Sequence, residues 1–249
     1  MASATTLTTD WGEMAYLDTG GSGKPLFFLH GTGCDSADWT SVTEKLPQNQ
    51  RLITFDFRGH GQSSVPTKPF TLANLADDIL FLVNSIGIQE VILVGHSLGG
   101  MVAMEVAKRL SCVAGLVLLE GWTSLSSAGS AFDTGRFYGA LSQTERTSIQ
   151  QKAEKTRKRF RPNVWENFWT SVQDFDAYVY LEQSCIPIYE VFGEMGRNEL
   201  TEQKLRIPPN PNIEVIWVPN AGHYLPHECP AEVAEICIKF VDTFHNCSN

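Results

Sequence analysis

The sequence lacks any apolar run long enough to cross a membrane as a helix, which takes about 20 residues. Its first ten residues, Met1 to Asp10, have neither the positive charges nor the apolar core of a secretory signal peptide. These two absences argue against a membrane protein and against a secreted one. We therefore expect a cytoplasmic protein that makes no contact with the membrane.

Positive charge is also scarce. The 249 residues include 19 Lys and Arg against 28 Asp and Glu, which gives a formal net charge of -9. Such a chain repels the phosphates of nucleic acids, so we expect no nucleic-acid partner. One basic run, residues 152–161, is the exception. Its helical spacing and the acidic Glu154 within it favour a solvated helix face over a docking patch.

Cysteine and histidine show no spacing typical of a metal site. The six cysteines are scattered, no two form a CxxC pair, and none has metal-ligand spacing to a histidine. This excludes a zinc ribbon and gives no sign of a disulfide framework, so we expect reduced thiols that mostly fill the core. We predict that the protein requires no metal and no organic cofactor.

What the sequence does contain is an alternation of short apolar runs and helix-like stretches. Apolar residues at helical spacing predict, for example, a helix over 72–86 that stops at Gly87. This order is typical of an α/β protein with a mostly parallel central sheet and helices on both faces. The length suits a single domain over residues 1–249. The predicted strands are 26–29, 52–55, 91–94, 115–119, 186–192 and 213–218.

Residues 121–184 interrupt the alternation. They give no core strand and are rich in aromatic residues. We interpret the segment as a helical lid, or cap, inserted over the carboxyl ends of the strands, where ligands bind in such sheets. Most of its aromatic residues would pack the cap onto the body. Trp122 and Trp165 are predicted to line a pocket for an apolar or aromatic substrate.

The most informative motif is Gly95-His-Ser-Leu-Gly-Gly100, which directly follows an apolar strand and opens a helix. In that context G-x-S-x-G forms a nucleophile elbow, a sharp turn that presents the serine hydroxyl above the sheet. The turn leaves no room for side chains at the two flanking glycines. Ser97 is therefore predicted to be a nucleophile.

A serine hydroxyl needs a base to take its proton. His223 lies in Asn220-Ala-Gly-His-Tyr-Leu-Pro226, between the last predicted strand and the last predicted helix, at the same edge of the sheet as Ser97. We assign His223 as the base, with His227 in the same loop as the fallback. His96 adjoins Ser97, but successive residues project in different directions, so we do not expect it to reach the hydroxyl.

With these motifs in place, the chain resembles the α/β-hydrolase fold family along nearly its whole length. The resemblance implies an α/β-hydrolase fold and an oxyanion hole made by the backbone N–H groups of Thr32 and Leu98. His30 and Gly31 are predicted to line the substrate pocket beside them. The fold hosts many reactions, so the resemblance says much less about the substrate. The matching motifs, in this order, are His30-Gly31-Thr32-Gly33, Asp56-Phe-Arg-Gly-His-Gly-Gln-Ser63, Gly95-His-Ser-Leu-Gly-Gly100 and Ala221-Gly-His223.

The acid of the triad departs from the usual family pattern. In most members it follows the seventh strand in a Gly-x-x-Asp pattern, and here the expected position holds Gly196. A minority of relatives, including some haloalkane dehalogenases and zearalenone-type lactonases, carry the acid after the sixth strand, where this chain has Glu120. A buried charge needs a partner, and His223 would supply one. We predict Glu120 as the acid, with Glu194 and Glu199 as rivals.

These assignments predict a serine hydrolase that cleaves a small to medium apolar or aromatic ester or lactone through an acyl-enzyme. A serine at position 97 disfavours haloalkane dehalogenase and epoxide hydrolase chemistry, which uses a carboxylate nucleophile. Three alternatives remain open: a cofactor-independent dioxygenase, a carbon–carbon bond hydrolase, and a hormone-receptor-like binding protein that retains the triad. The expected partner is a small-molecule substrate, and the sequence leaves the oligomeric state open.

Overall fold

The computed structural model describes residues 5–132, 137–195 and 205–246. Within these ranges, eight strands form one sheet in the order β1-β2-β4-β3-β5-β6-β7-β8. The strands are β1 (Thr5–Thr9), β2 (Gly12–Asp18), β3 (Ser22–Leu29), β4 (Gln50–Phe55), β5 (Val91–His96), β6 (Val113–Leu119), β7 (Ile188–Gly193) and β8 (Ile213–Val218).

The sheet is mostly parallel, as the alternation of strands and helices predicts. β3 pairs in parallel with β4 and with β5, and the parallel pairing continues through β6, β7 and β8. Parallel strands bring their carboxyl ends to one edge of the sheet. The loops after β3, β5, β6, β7 and β8, which carry the predicted site residues, therefore meet at that edge.

β1 and β2 lie outside the predicted set of strands. They pair antiparallel with each other, and β2 pairs antiparallel with β4. β1 is an edge strand; its sequence is Thr-Thr-Leu-Thr-Thr and most of its residues are exposed. An edge strand with this composition produces no apolar run, so the pattern that identifies the buried strands cannot detect it.

Helices cover both faces of the sheet, and alternate strand residues contribute to two separate cores. Phe27 and Leu93 belong to one core with residues of the helices 72–85 and 98–107, whereas Phe28 and Val94 belong to the core that includes Phe240 of the last helix. No helix in the described ranges is long and apolar enough to cross a membrane. The helices are α1 (Thr40–Thr43), α2 (Leu72–Ser85), α3 (Leu98–Ala107), α4 (Gln143–Arg159), α5 (Pro162–Gln173), α6 (Tyr178–Gln183), α7 (Leu225–Glu228) and α8 (Pro230–Asn246).

The described part of residues 121–184 consists of helices and turns. A 3-10 helix (Leu125–Phe132) follows β6, and α4, α5 and α6 come after it. α5 packs on the body through Val164, Phe168 and Val172, which belong to the same core as α2 and α3. We propose that this segment is the cap predicted from the sequence, and we use that name for it below.

The basic run 152–161 is only partly a solvated helix face, which corrects the prediction. Lys155 and Lys158 are exposed, but Lys152 binds aspartates of the body. Arg159 donates to the carbonyl oxygens of Gly61 and Ser63, each at 2.8 Å. Lys152 and Arg159 are seven residues apart and therefore lie on one side of α4, the side that faces the body.

Candidate active site

Ser97 occupies the sharp turn between β5 and α3. Its φ of 54° lies in the left-handed region, which costs about 1–3 kcal/mol for a residue other than glycine. The flanking glycines are required by close backbone contacts, since a Cβ at Gly95 would collide with the carbonyl oxygen of Gly99, and one at Gly99 would collide with that of Leu29. The helix that begins at Leu98 directs its N-terminus toward the serine, which favours negative charge there.

A cavity of about 260 Å³ opens beside Ser97 at the carboxyl ends of the strands. Its walls are largely aromatic and aliphatic. Two surface grooves have larger volumes, about 510 and 580 Å³, but their described lining residues include none of the predicted site residues. The cavity brings together six of those residues: Gly31, Thr32, Ser97, Leu98, Trp122 and His223.

His223 and Glu120 form a buried pair at this edge. Nδ1 of His223 is 3.6 Å from Oε2 of Glu120, an ion-pair distance just beyond hydrogen-bond range. The Glu120 carboxylate accepts the backbone N–H of Gly193 at 2.9 Å and the indole N–H of Trp122 at 3.2 Å. Glu120 itself has a left-handed φ of 53°, directly after the last residue of β6. Its charge is thus held by donors from two different segments.

The imidazole of His223 is fixed from several sides. Its ring stacks with that of Trp122 at a centroid distance of 5.1 Å and with that of Phe137 at 4.6 Å. Nε2 of His96 lies 2.9 Å from the backbone carbonyl oxygen of His223, and it must donate there because a carbonyl only accepts. Burial, together with the nearby His223, lowers the pKa of His96 well below its ordinary value. His96 is therefore a neutral residue that ties β5 to the loop carrying His223.

The loop after β3 lies against the elbow. A Cβ at Gly31 would be 3.0 Å from Nδ1 of His96 and 3.3 Å from Cβ of Ser97, so only glycine fits there without displacing them. Thr32 follows it and lines the cavity, as does Leu98. The two residues whose N–H groups are predicted to form the oxyanion hole therefore border the same space as Ser97. Their role in binding an oxyanion stays a prediction.

Two predicted substrate contacts lie away from the cavity. His30 is a structural residue: its Nε2 accepts the N–H of Phe57 at 3.0 Å, and its Nδ1 lies 2.8 Å from the carbonyl oxygen of Gly31. Trp165 packs against other aromatic rings of the cap, and Trp169, one turn later on α5, lines the cavity instead. Sequence spacing places both tryptophans on one helix face, but it does not indicate which turn of the helix reaches the cavity.

The rival residues have other surroundings. His227, the fallback base, has its Nε2 3.1 Å from Oδ1 of Asp38 and does not line the cavity. Glu194 is exposed and directly follows the last residue of β7. Glu199, like Gly196, lies outside the described residues. Among the described carboxylates, Glu120 is thus the one that faces His223.

Several cavity residues were not predicted. Cys34, Tyr138 and Tyr224 border one part of it, and Phe137 and Trp169 contribute aromatic rings from the cap. The further lining residues are His96, Met101, Leu125, Ala153 and Val172. Cys34 and Tyr224 each directly follow a motif residue in the sequence, Gly33 and His223, and this adjacency could have identified them as cavity residues. Among the described residues, no group of three or more His, Cys, Asp or Glu side chains is arranged to hold a metal ion.

Comparison with known proteins agrees with this architecture. A model of the alpha/beta hydrolase family matches residues 26–236. Uncharacterized protein Rv2715 of Mycobacterium tuberculosis is 41% identical over 87 residues, which are 35% of this chain and 26% of that protein. The matched region therefore spans about a quarter of this relative. The soluble epoxide hydrolase of Corynebacterium sp. (strain C12) is 27% identical over 261 residues, covering 89% of this chain and 91% of that protein.

The fold also matches solved structures. An N-acyl homoserine lactonase, solved in complex with N-hexanoyl homoserine lactone, superimposes with a TM-score of 0.78. The match covers 96% of this chain and 97% of the lactonase, at 20% sequence identity. A likeness at this identity concerns the fold, so the chemistry of this chain has to be argued from its own residues.

Proposed function

The chain belongs to the alpha/beta hydrolase family, and from this premise we propose that it is a serine hydrolase that cleaves a small to medium apolar or aromatic ester or lactone. The proposal assigns Ser97 as nucleophile, His223 as base and Glu120 as the acid of the triad. One observation carries it: Ser97 and His223 line the same cavity, while Nδ1 of His223 faces the buried carboxylate of Glu120.

In the proposed reaction, the hydroxyl oxygen of Ser97 attacks the substrate carbonyl carbon while Nε2 of His223 takes the hydroxyl proton. The N–H groups of Thr32 and Leu98 donate to the resulting oxyanion. The tetrahedral intermediate then expels the alkoxide, which receives the proton from the imidazolium and leaves Ser97 acylated. Glu120 keeps the imidazole oriented and offsets the positive charge that it gains.

Water completes the cycle. It attacks the acyl carbon and gives a proton to His223, and Ser97 leaves with that proton as the carboxylic acid forms. With a lactone, the alcohol formed by ring opening stays tethered to the acyl group, so the second step releases a single hydroxy acid. The two half-reactions use the same base and the same pair of N–H donors, so a single site of this kind suffices.

The cavity supports the substrate class. Its volume of about 260 Å³ falls just below the roughly 300–1,000 Å³ of pockets for drug-sized ligands. Trp122, Phe137 and Trp169 supply aromatic walls, and Leu125 and Val172 supply aliphatic ones. Such walls favour a compact substrate that carries apolar or aromatic groups beside its reactive carbonyl.

Epoxide hydrolysis is a poorer fit, although the Corynebacterium relative is named for it. That reaction, in enzymes of this fold, uses a carboxylate as nucleophile. The elbow of this chain presents the hydroxyl of Ser97 instead, and the buried Glu120 faces His223. A hydroxyl nucleophile with a histidine base is suited to acyl transfer.

Covalent labelling tests the nucleophile directly. We expect a fluorophosphonate to add its phosphonyl group to Ser97 with loss of fluoride, and peptide mass spectrometry will locate the adduct. Ser97→Ala should remain unlabelled. Ser111→Ala, which changes an exposed serine after α3, should be labelled like the wild type. An adduct elsewhere, or none, would contradict the assignment.

Turnover tests the reaction. p-Nitrophenyl esters, aromatic lactones and N-acyl homoserine lactones are the substrate panel, with dissolved oxygen monitored in parallel. We expect many cycles without oxygen uptake, and a loss in kcat of about 10⁴-fold or more in Ser97→Ala. Oxygen consumption would instead indicate the dioxygenase alternative. A single burst that stalls would indicate a binding protein.

A further inference from the structure

A half-buried group of charges lies where the cap meets the loop behind the predicted oxyanion hole. Nζ of Lys152, on α4, is 2.7 Å from Oδ1 of Asp35 and 2.6 Å from Oδ2 of Asp38. Asp35 caps the 3-10 helix Ser36–Trp39, and the Asp38 carboxylate accepts the Asp35 N–H at 2.7 Å. A lysine from the lid-like cap segment therefore binds two aspartates that follow Thr32 by three and six residues in the sequence.

Asp38 also contacts the loop that carries the proposed base. Its Oδ1 lies 3.1 Å from Nε2 of His227, which is on α7, four residues after His223. We call Asp35, Asp38, Lys152 and His227 the Asp38 cluster. Three segments of the molecule meet in it: the cap helix α4, the continuation of the oxyanion loop, and the loop of the proposed base.

α4 touches the oxyanion loop directly as well. A Cβ at Gly33 would lie 2.7 Å from Cβ of Ala153, and Gly33 has a left-handed φ of 78°. Ala153 is the neighbour of Lys152 and lines the cavity. Because no side chain separates the helix from this loop, a displacement of α4 would free the loop to move too.

We propose that Lys152 is a positioning residue for hydrolysis: by joining Asp35 and Asp38 it fixes α4 against the oxyanion loop and so holds the N–H of Thr32 in place. The inference rests on the proposed function, because it takes the N–H of Thr32 to bind an oxyanion. Lys152 acts through the loop and does not need to touch the substrate.

The electrostatics of the Asp38 cluster support this role. Burial alone would raise the pKa of the Asp38 carboxyl, but His227 and Lys152 outweigh it and hold that pKa well below its usual range. Burial would likewise lower the pKa of the Lys152 ammonium, but Asp38 and Asp35 outweigh it and raise that pKa. Both groups are therefore charged at neutral pH. Removing the ammonium would leave two neighbouring carboxylates that repel each other.

Other lysines of α4 provide matched controls. Lys155 is exposed, and Lys158 forms an exposed pair with Glu154 at 3.3 Å, one turn away on the same helix. Exposed pairs of this kind contribute little to stability. Lys155→Met changes charge and helix composition in the same way as Lys152→Met, but it leaves the Asp38 cluster intact.

Steady-state kinetics with the best substrate of the panel test the proposal. We expect Lys152→Met to lower kcat by about 10- to 100-fold with KM changed less than about threefold, because a displaced oxyanion donor weakens transition-state binding only. Lys152→Arg should regain most of the loss, since a guanidinium can bridge both aspartates. Lys155→Met should match the wild type. A merely stabilising role would instead lower Tm and leave kcat unchanged.

Alkylation of Cys34 gives a readout that needs no activity. Cys34 is buried, lines the cavity and belongs to the same apolar cluster as Ile149 of α4. Burial raises the pKa of the Cys34 thiol, and the ammonium of Lys152 partly opposes this. Loss of the ammonium would therefore raise this pKa further and lower the fraction of thiolate, so faster alkylation can only report easier access. We expect iodoacetamide to modify Cys34 at least ~5-fold faster in Lys152→Met, measured by peptide mass spectrometry.

The two readouts separate the two proposals. Lower kcat together with faster alkylation supports the inference, and a variant equal to Lys155→Met in both overturns it. If the wild type hydrolyses no ester or lactone, the proposed function fails, while the alkylation rates still decide whether Lys152 fixes α4. If Lys152→Met does not fold, Asp35→Asn replaces it: asparagine keeps the helix cap but removes one charge, and the same two effects should appear at smaller size.

Discussion

Two glutamates, Glu120 just past the end of β6 and Glu190 within the neighbouring strand β7, have fully buried side chains but opposite surroundings. Glu190 pairs with Leu118 of β6, and Glu120 lies two residues beyond Leu118. The carboxylate of Glu120 accepts N–H groups from Gly193 and Trp122. Neither carboxyl oxygen of Glu190 has a hydrogen-bond partner among the described residues.

The position along the strand explains the difference. Glu190 lies in the middle of β7, between β6 and β8, where the neighbouring backbone N–H groups are used by the sheet. Glu120 follows the last residue of β6, and Gly193 ends β7, so its N–H is free to donate to the carboxylate. Burial and the nearby charge of Glu120 raise the pKa of Glu190 to about 8. In this sheet, the end of a strand can support a buried charge and its middle cannot.

The largest expected effect is the loss of kcat when the carboxylate of Glu120 is neutralised. Glu120→Gln keeps the shape of the side chain but removes the charge that orients His223 and offsets its imidazolium form. We expect kcat for the best substrate to fall by about 10⁴-fold, as for a neutralised acid in other serine triads, with far less change in KM. Steady-state kinetics at neutral pH measure this.

Glu194, the other described candidate for the acid of the triad, provides the matched control. Glu194 is exposed, so Glu194→Gln should leave kcat within about twofold of the wild type. A large loss of kcat in Glu194→Gln, with a small one in Glu120→Gln, would place the acid of the triad after the seventh strand and contradict the role of Glu120.

The second largest expected effect is on stability, through the buried carboxyl group of Glu190. Below about pH 4.5, Glu190 is protonated in both the folded and the unfolded protein and adds no pH dependence. Between about pH 4.5 and 8 the unfolded chain releases this proton and the folded protein keeps it, so the free energy of unfolding falls as the pH rises. The total loss, complete above pH 8, is about 5 kcal/mol at most.

Glu190→Gln removes this titration. We therefore expect the variant to gain stability relative to the wild type as the pH is raised from 5 to 8.5, measured by urea unfolding at each pH. Glu166→Gln, an exposed change on α5, corrects for the general effect of removing one carboxylate. Equal pH dependence in Glu190→Gln and the wild type would mean that the sheet supports a charge in mid-strand after all.

The sequence predicted the strand-end features of this site far better than its surroundings. The parallel strands and the elbow follow from short apolar runs and glycine spacing, and these are local signals. Glu120 stood out because it directly follows an apolar run. Glu190 has the same residue type inside an apolar run, yet nothing in the sequence indicated that it would be left without donors, because those depend on pairing between distant strands.

The cap was the least predictable part. Its helical character followed from the absence of strand patterns, but the choice of Trp165 over Trp169 depended on how α5 is seated on the body. The basic run was interpreted from its own spacing, and the partners of Lys152 lie more than 100 residues earlier in the chain. Local patterns identify elements, and long-range docking decides which of their side chains reach the site.

The smallest expected effect concerns the donor that Glu120 has and Glu190 lacks. Trp122→Phe keeps an aromatic ring beside His223 but removes the indole N–H that binds Glu120 at 3.2 Å. A hydrogen bond to a charged group contributes about 1.5–3 kcal/mol, and only part of it acts on the transition state, so we expect kcat to fall about 10-fold with little change in KM. Trp169 lines the cavity from α5 and does not bind Glu120, so Trp169→Phe should instead raise KM. If both variants change KM alone, Trp122 only lines the pocket, and the function of the Glu120 carboxylate does not depend on the indole N–H of Trp122.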